Sequence, residues 1–302
     1  MRPFLKWVGG KRQLLPVLRR FYPPSTGTYF EPFMGSGAVF FDLLGHGALD
    51  RSQVRLSDAN ADLIGCYRRV GDAVDAVIGE LERLAAGHAS GGPDHYRHVR
   101  DALFNPQRAA WRDAGADLDG YPVALAAMLI YLNRTGYNGL YRVNASGEYN
   151  VPPGRYDRPR IVDRPLLETV SGALAASSAY LQVASFDWLL DQAASGDFVY
   201  FDPPYAPLSA TANFRGYTGR GFSDDDQARL QQMAIALAGR GVQVLLSNSV
   251  APAVTQLYEK NELVKQAGLR TWRFPARRAV NSNAERRGAI EELVVSNITP
   301  VA

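Results

Sequence analysis

The residues best suited to chemistry form a short motif, Asp202-Pro203-Pro204-Tyr205, which directly follows Phe198-Val199-Tyr200-Phe201. Four consecutive apolar or aromatic residues are typical of a strand that is buried on both faces of a parallel sheet. Two prolines must end such a strand, because proline has no backbone N–H and restricts φ. The motif therefore predicts a carboxylate, a rigid carbonyl and an aromatic ring at the carboxyl end of a central strand, where open α/β sheets bind ligands.

This combination of groups suits an amino group on a planar base that meets an electrophile. Asp202 with an ordinary pKa of ~3.9 cannot remove a proton from such an amino group. It can accept a hydrogen bond from one N–H while the Pro203 carbonyl accepts from the other, which stabilises positive charge that develops on the nitrogen. Tyr205 can stack on the base. We therefore interpret Asp202 as a hydrogen-bond acceptor and not as a general base.

A second motif, Glu31-Pro32-Phe33-Met34-Gly35-Ser36-Gly37, lies between a predicted strand at 28–31 and a predicted helix at 38–44. A strand, a Gly-x-Gly loop and a helix open a nucleotide-binding α/β unit, and the glycines let backbone N–H groups approach a ligand. Phe40 stands where the dinucleotide fingerprint has its third glycine. The motif therefore favours a small adenosine ligand and argues against an NAD-type oxidoreductase.

Asp58 follows a second predicted strand, 54–57, about 20 residues after the glycine loop. An acid at this position is placed to accept hydrogen bonds from ribose hydroxyls. It could equally cap the next helix, predicted at 59–67. The two roles are compatible.

The N-terminal sequence Lys6-Trp7-Val8-Gly9-Gly10-Lys11 puts two glycines before a lysine. It lacks the first glycine and the Ser or Thr of a phosphate loop, so we reject a nucleoside triphosphatase. Trp7 is available for stacking and Lys11 for an anionic group. The start of an ordinary helix is an equal alternative.

Charge is concentrated in two parts of this 302-residue chain, whose net charge is only +3 and whose pI is 8.9. Six arginines stand against three acidic residues from 134 to 164, and six against one from 270 to 287. Such patches favour a phosphate-bearing partner, with an ordinary solvated surface as the alternative. We expect the loop 270–288, with Arg277 and Arg278, to contact phosphates.

The cysteine and histidine content and the distribution of apolar residues limit the class of protein. The single cysteine, Cys66, allows no disulfide within the chain, and the four histidines form no metal-binding pattern, so we expect a reducing environment and no metal. We find neither a signal peptide nor an apolar run of membrane-spanning length. We therefore expect a soluble, cytoplasmic protein that is not attached to a membrane.

The strand–helix alternation is lost from about residue 60 to residue 170. We predict helices at 73–86, 95–104 and 123–133, a loop at 87–93, and a hairpin turn at Asn138-Gly139. Arginine, asparagine and aromatic residues surround that turn, and such side chains can read base edges or wedge between bases. A tyrosine-rich hairpin that merely packs on the sheet is the alternative.

Further strands are predicted at 181–186, 198–201, 242–248, 263–266 and 291–297, with a helix at 224–237. With the first two strands they make an α/β fold, a Rossmann-like mixed seven-stranded sheet, into which a mainly helical domain with a β-hairpin is inserted. We expect residues 1–59 and 171–302 to form the catalytic domain. Residues 60–170 are expected to form the target-recognition domain.

Taken together, the motifs resemble those of the DNA adenine-N6 methyltransferases of the Dam type, the D12 or α-group class. The resemblance spans nearly the whole chain, and only the segment between 85 and 120 does not align. Four motifs occur in the order of the family: Phe4-Leu5-Lys6-Trp7-x-Gly-Gly-Lys11; Glu31-Pro32-Phe33-x-Gly-x-Gly37; residues 132–142 with 147–152 and 154–156; and Asp202-Pro203-Pro204-Tyr205-Ala206-Pro207-Leu208.

This resemblance implies a site-specific adenine methyltransferase that uses S-adenosyl-L-methionine, releases S-adenosyl-L-homocysteine and acts on double-stranded DNA. It implies Asp202, Pro203, Pro204 and Tyr205 as the catalytic set. The implied cofactor-binding residues are Trp7, Lys11, Glu31, Pro32, Phe33, Gly35, Ser36, Gly37, Asp58, Phe186, Asp187 and Asp202. The implied DNA-binding residues are Lys6, Arg134, Tyr137, Asn138, Leu140, Arg142, Pro152 and Arg155, to which we add Arg277 and Arg278.

The segment around Tyr137–Arg142 matches the family closely, so the resemblance also implies the recognition sequence GATC. Tyr137 matches an aromatic residue that inserts into the duplex. The target atom lies inside the duplex, so the nucleotide must be flipped out. We expect the protein to be a monomer. We also expect it to be associated with the nucleoid and to be of bacterial or phage type. The alternatives are an adenine methyltransferase of a restriction–modification system with another recognition sequence, and a catalytically idle DNA-binding regulator.

Overall fold

The computed structural model describes residues 1–205, 222–277 and 289–301, without the side chains of 276, 277, 289 and 290. In this part of the chain one seven-stranded sheet has the order β3-β2-β1-β4-β5-β7-β6. Strands β1 to β5 pair in parallel, and β7 pairs antiparallel with both β5 and β6. The strands are β1 Thr28–Glu31, β2 Gln53–Asp58, β3 Tyr180–Val183, β4 Phe198–Phe201, β5 Gln243–Ser249, β6 Arg270–Arg277 and β7 Ala289–Ser296.

The strand order reverses between β1 and β4, which lie side by side. Side chains of β4 alternate between two apolar cores: Phe198 and Tyr200 belong to the core on one face of the sheet, Val199 and Phe201 to the core on the other. All four are almost completely buried. The prediction of a strand buried on both faces is therefore confirmed, and the mixed α/β fold with it.

Helices cover both faces of the sheet and fill the long connection between β2 and β3. None of the helices in the described ranges is long and apolar enough to cross a membrane. The helices are α1 Leu15–Leu18, α2 Ala38–Gly45, α3 Ala61–Asp72, α4 Val74–His98, α5 Asn105–Asp113, α6 Val123–Thr135, α7 Arg164–Ala176, α8 Leu189–Gln192, α9 Asp224–Gly239, α10 Pro252–Tyr258 and α11 Glu262–Gln266. A π-helical turn, Val99–Phe104, joins α4 to α5.

The predicted loop at 87–93 is wrong, because α4 runs through this segment. The helix is interrupted only at Gly92, whose φ of 48° is accessible to glycine at little cost. Pro93 follows directly, where its missing N–H is tolerated because a helix restarts there. Local glycines suggested a loop, but His88 of this segment shares a 2.9 Å hydrogen bond with the Tyr131 hydroxyl of α6, which holds the helix against the inserted helices.

The hairpin turn predicted at Asn138-Gly139 is also placed differently. Both residues have positive φ, 53° and 62°, as the sequence indicated, but they form a turn at the end of α6. The β-hairpin is irregular, with isolated bridges Gly136–Pro153 and Val143–Tyr149 and its tip at residues 144–147. The turn chemistry was therefore right and the position of the tip was wrong.

Two further predictions are corrected near the sheet edges. Residues 263–266 form part of helix α11, and the edge strand is instead β6, in the segment we had expected to be a loop. Trp272 and Phe274 alternate in β6 and contact the ring of Phe21. Strand β3 ends at Val183, so Phe186 and Asp187 lie in a following 3-10 turn.

Candidate functional site

The carboxyl end of β4 presents Asp202 to a network of polar side chains. Lys11 Nζ lies 2.7 Å from Asp202 Oδ1, and the Ser247 hydroxyl donates to the same oxygen over 3.3 Å. Ser247 also shares a 2.8 Å hydrogen bond with the Tyr200 hydroxyl below it. Both contacts fall on Oδ1, so among the described residues Oδ2 accepts no hydrogen bond. Within the described part of the chain, this oxygen therefore keeps its capacity to accept a hydrogen bond from a ligand.

Burial raises the pKa of Asp202 to about 6, although Lys11 opposes this shift and favours the charged form. Desolvation disfavours a carboxylate, and an adjacent ammonium restores part of its stability. The expectation of an ordinary Asp202 pKa is therefore wrong. The pKa remains far below that of a base strong enough to deprotonate an aromatic amino group, so the interpretation as an acceptor stands as a prediction.

The rest of the motif is held by side chains from distant parts of the chain. The buried Gln227 amide of α9 donates to the Pro204 carbonyl over 3.1 Å. The Tyr205 hydroxyl donates to Glu292 Oε2 of β7 over 2.8 Å, and Lys11 Nζ lies 4.5 Å from the centre of the Tyr205 ring. Pro203 is buried. The Tyr205 ring and the Pro204 carbonyl are thus held by contacts with residues far away in the chain.

A cavity of about 440 Å³ opens beside Asp202 at the carboxyl ends of β1 and β4. Its size is in the range of small-molecule sites. Ten of the twelve predicted cofactor-binding residues line it: Trp7, Lys11, Glu31, Pro32, Phe33, Gly35, Ser36, Asp58, Phe186 and Asp202.

The glycine loop forms one wall of this cavity against Trp7. A Cβ atom on Gly35 would lie 3.0 Å from Trp7 Cδ1, and the φ of Gly35 is 48°. The Asp58 carboxylate accepts from the backbone N–H of Gly35 and of Asn60, over 3.0 and 2.9 Å. A carboxylate has about four acceptor positions, so Asp58 keeps capacity for hydroxyl donors. An apolar cavity with one such acid fits an adenosine ligand.

Asn60, and not Asp58, caps α3, since its side chain accepts from Leu63 N. The predicted start of this helix at residue 59 is thus two residues early. The half-buried Asp58 is left at the cavity, where burial raises the pKa of its carboxyl group. Its role toward a ribose remains a prediction.

Glu31 is the last residue of β1, which neighbours β4, and is almost fully buried. Tyr29 and the backbone of Phe40 both donate to Glu31 Oε2, over 2.7 and 3.1 Å. Burial nevertheless raises the pKa of Glu31 to about 8. The two donors orient this side chain at the base of the cavity.

Two predicted cofactor residues do not line the cavity. Gly37, with a φ of 65°, occupies the N-cap position of α2 behind the loop. Asp187 is exposed and pairs with Arg229 over 3.0 Å, while Phe186, its neighbour, does line the cavity. Arg229 itself lies at the cavity wall and was not predicted.

The predicted DNA-binding residues lie mostly at the surface around α6 and the irregular hairpin. Lys6, Tyr137, Asn138, Pro152 and Arg155 are exposed, and Leu140 is half-buried. The backbone of Lys6 exchanges two hydrogen bonds with the buried Asn133 side chain, which also donates to the Gly139 carbonyl. These hydrogen bonds hold the N-terminal segment around Lys6 next to the turn at 137–139.

Two arginines of this surface have different surroundings. Arg142 donates to the Asn150 side chain over 2.7 Å and to the Asn150 carbonyl over 3.1 Å. Arg134 is half-buried near Asp163, Arg2 and Arg160, and burial lowers the pKa of its guanidinium. The side chain of Arg277 and all of Arg278 lie outside the described residues.

Sequence reasoning missed the residues that hold the motif. Ser247 could have been found, because it lies near the carboxyl end of a predicted apolar strand that neighbours β4. Gln227 lies inside a helix and Glu292 inside the last strand, 87 residues beyond its partner Tyr205. Nothing local marks these two, so only the fold reveals them.

The profile described as D12 class N6 adenine-specific DNA methyltransferase matches residues 7–272. The chain is 38% identical to a Type II methyltransferase of Lactococcus lactis subsp. cremoris, over 98% of this chain and 95% of that protein. It is also 38% identical to a Type II methyltransferase of Methanocaldococcus jannaschii, over 98% and 99%. Identity to the DNA adenine methylase of Escherichia coli (strain K12) is 34%, over 97% and 94%. The chain therefore belongs to the D12 class of N6 adenine-specific DNA methyltransferases.

Proposed function

We propose that this protein transfers the methyl group of S-adenosyl-L-methionine to adenine N6 within GATC sites of double-stranded DNA. The observation that carries this proposal is the Asp202 carboxylate, which lines, together with the Tyr205 ring, a cavity suited to an adenosine ligand. When bound, S-adenosyl-L-methionine supplies a methyl group on a sulfonium centre, from which it leaves without its bonding electrons.

The residues of this chain orient the amino group for attack. Asp202 Oδ2 accepts one N–H of the adenine amino group, and the Pro203 carbonyl accepts the other. These acceptors stabilise the positive charge that develops as the nitrogen lone pair forms the new C–N bond. The methylated nitrogen is then cationic and loses one proton to water after that bond has formed. Tyr205, held by Glu292, stacks on the base, which must first be flipped out of the duplex.

The proposed cofactor contacts follow the cavity wall. Trp7 and Phe33 offer apolar surface, the loop at Gly35 and Ser36 offers backbone, and Asp58 offers an acceptor for ribose hydroxyls. Lys11 pairs with Asp202, so we assign it to both the cofactor side and the catalytic side.

The experiment is transfer of labelled methyl to a GATC duplex and to a duplex with the site scrambled. We expect transfer to the first only, and none by Asp202→Asn, which replaces an acceptor oxygen by a donor. Asp191→Asn, at an exposed position of α8, is the matched control and should leave transfer unchanged. Absence of transfer to either duplex by the unmodified protein overturns the proposal.

The second candidate is a methyltransferase of a restriction–modification system with another recognition sequence. The higher identity to the two Type II methyltransferases supports such a system and does not bear on the recognition sequence. Sequencing of methylated bases after expression in a host without DNA methylation separates the two. Methylated adenines confined to GATC support the proposal, and methylated adenines in another motif support a modification enzyme. DNA binding without methylation would support an idle DNA-binding regulator.

A further inference from the structure

The return arm of the hairpin, residues 147–151, is held along two edges. An extended chain directs the N–H and C=O of successive residues to opposite sides. Even-numbered residues face the outgoing arm, residues 142–144: the Asn150 N–H donates to the Arg142 carbonyl, and Asn144 N–H to the Glu148 carbonyl. Odd-numbered residues face the other way, toward a helix.

That helix supplies four side chains from α4, the π-turn and α5. The Tyr96 hydroxyl and Arg100 both donate to the Val151 carbonyl, each over 2.9 Å. The Asn105 amide donates to the Tyr149 carbonyl over 3.0 Å and accepts from the Tyr149 N–H over 2.9 Å. Further along, Arg108 donates to the Gly147 carbonyl. We call Tyr96, Arg100, Asn105 and Arg108 the helix rail.

The spacing of the helix rail matches that of the return arm. The eight residues from Arg100 to Arg108 rise about 12 Å along a helix, and the four steps from 147 to 151 span about 13 Å of extended chain. Nine residues of regular α-helix would place Asn105 about 180° away from Tyr96. The wider π-turn, Val99–Phe104, rotates less per residue and brings Asn105 back to the same face. Side chains of the helix therefore hydrogen-bond to the outer backbone edge of the return arm, where a third strand would otherwise pair.

The helix rail is also joined to helix α3 and, through Tyr141, to Trp7 at the cavity. Arg108 Nε donates to the buried Asp62 of α3 over 2.5 Å, and Arg108 also donates to the Tyr141 hydroxyl over 3.1 Å. Tyr141 donates in turn to Asp62 over 2.6 Å, and its ring lies 5.8 Å from that of Trp7 in the cofactor cavity. A chain of contacts through Arg108 and Tyr141 therefore connects the return arm to the cavity at Trp7.

We propose that the helix rail sets the discrimination between DNA sites by positioning Arg142. Asn150 lies between two residues that the rail holds, Tyr149 and Val151, and Asn150 orients the Arg142 guanidinium through its side chain and its carbonyl. Arginine reads a base edge only when its fork is correctly directed. The four rail residues are positioning residues and do not touch the DNA. This inference rests on the proposed function.

The test compares Asn105→Ala and Tyr96→Phe with Arg142→Ala. Methyl transfer is measured as kcat/KM on the cognate duplex and on duplexes with one base pair changed. Arg142→Ala identifies the base pair that Arg142 reads. We expect Asn105→Ala to reduce discrimination at that same base pair by about tenfold and to leave the KM for S-adenosylmethionine unchanged. In the Arg142→Ala background, Asn105→Ala should add no further loss.

Gln107→Ala and Arg97→Ala are matched controls, because both side chains are exposed on the same helices and Arg97 pairs only with Asp94 among the described residues. Both should keep full discrimination. An equal loss of activity on every duplex, or a loss of discrimination at a different base pair, would overturn the inference. Tyr96→Phe removes a single oxygen, and it replaces Asn105→Ala in the test if that variant does not fold. Inactivity of the unmodified protein on all duplexes would instead contradict the proposed function.

Discussion

At the scale of single residues, Asp202 is subject to two opposing effects. Burial disfavours its carboxylate, and Lys11 at 2.7 Å favours it, with a resulting pKa of about 6. Only the deprotonated form can accept the amino N–H without donating a proton of its own. The activity should therefore depend on pH near neutrality, in a range where an ordinary aspartate would not titrate.

We expect kcat/KM for methyl transfer to fall as the pH drops through about 6, with a slope of one, because protonation of Asp202 removes the acceptor. A pH profile of kcat/KM on a fixed duplex at constant ionic strength measures this. The Asp191→Asn variant should give the same profile. An acid limb near pH 4 would show that Asp202 has an ordinary pKa in the free enzyme.

Glu292 provides a second test at this scale, since its negative charge raises the pKa of Asp202 and its carboxylate accepts from Tyr205. Glu292→Gln removes the charge and retains a carbonyl acceptor. The acid limb of kcat/KM should therefore move to lower pH. Glu291→Gln, exposed on the same strand and paired with Arg273, is the control and should not move it. An upward shift would contradict the assigned interaction.

At the scale of elements, helix α3 links the glycine loop at 35–37 to the other inserted helices. Tyr67 donates to the Ser36 carbonyl over 2.7 Å, and Asp62 accepts from Arg108 and Tyr141. The helix packs closely on Tyr121: a Cβ atom on Gly65 would lie 2.4 Å from the Tyr121 ring. This glycine is needed for close approach and not for flexibility.

Gly65→Ala should therefore lower the free energy of unfolding, by about 1–3 kcal/mol from overpacking. Gly79→Ala, in α4, is the matched control, because no atom lies within 4 Å of its Cβ position. That substitution should raise the free energy of unfolding by roughly 0.5–1 kcal/mol, through its higher helix propensity. Urea unfolding of both variants measures the difference. Equal effects of the two substitutions would refute the close packing.

At the scale of the whole molecule, the apolar core on one face of the sheet continues into the inserted helices. One cluster contains both Tyr29 and Phe198 of the sheet and Leu125 and Tyr131 of the insert. The buried pair of Asp62 and Arg108 lies within the same region. A division at residues 59/60 and 170/171 is therefore a proposal about function, and we expect the two parts to unfold together.

Asp62→Ala tests this cooperativity, because it leaves Arg108 buried without its carboxylate. Removal of one partner of a buried pair costs about 3–5 kcal/mol, so the unfolding midpoint should fall strongly while a single transition is kept. Circular dichroism and tryptophan fluorescence should report the same midpoint. Asp72→Ala, whose surface pair with Arg69 is worth about 0–1 kcal/mol, is the control. Two separated transitions would show that the insert folds independently.

The central strands and the glycine loop could be predicted from the sequence, because continuous apolar runs and Gly-x-Gly spacing are local signals. The edge strand β6 was missed, although Trp272 and Phe274 alternate within it. Arginines at 270, 273 and 277 hid that alternation. The helical conformation on both sides of Gly92 could not be predicted, since local glycines oppose it and contacts such as that of His88 with Tyr131 join residues far apart in the chain.

The sequence by itself determined the order of the motifs, the family and the chemical groups at the site, because these depend on residue types and spacing along the chain. Only the tertiary structure decided the state of those groups. It raised the pKa of Asp202 by burial, joined Tyr205 to Glu292 and aligned the helix rail with the return arm. These features arise from contacts between residues far apart in the chain, for which a linear pattern carries no signal.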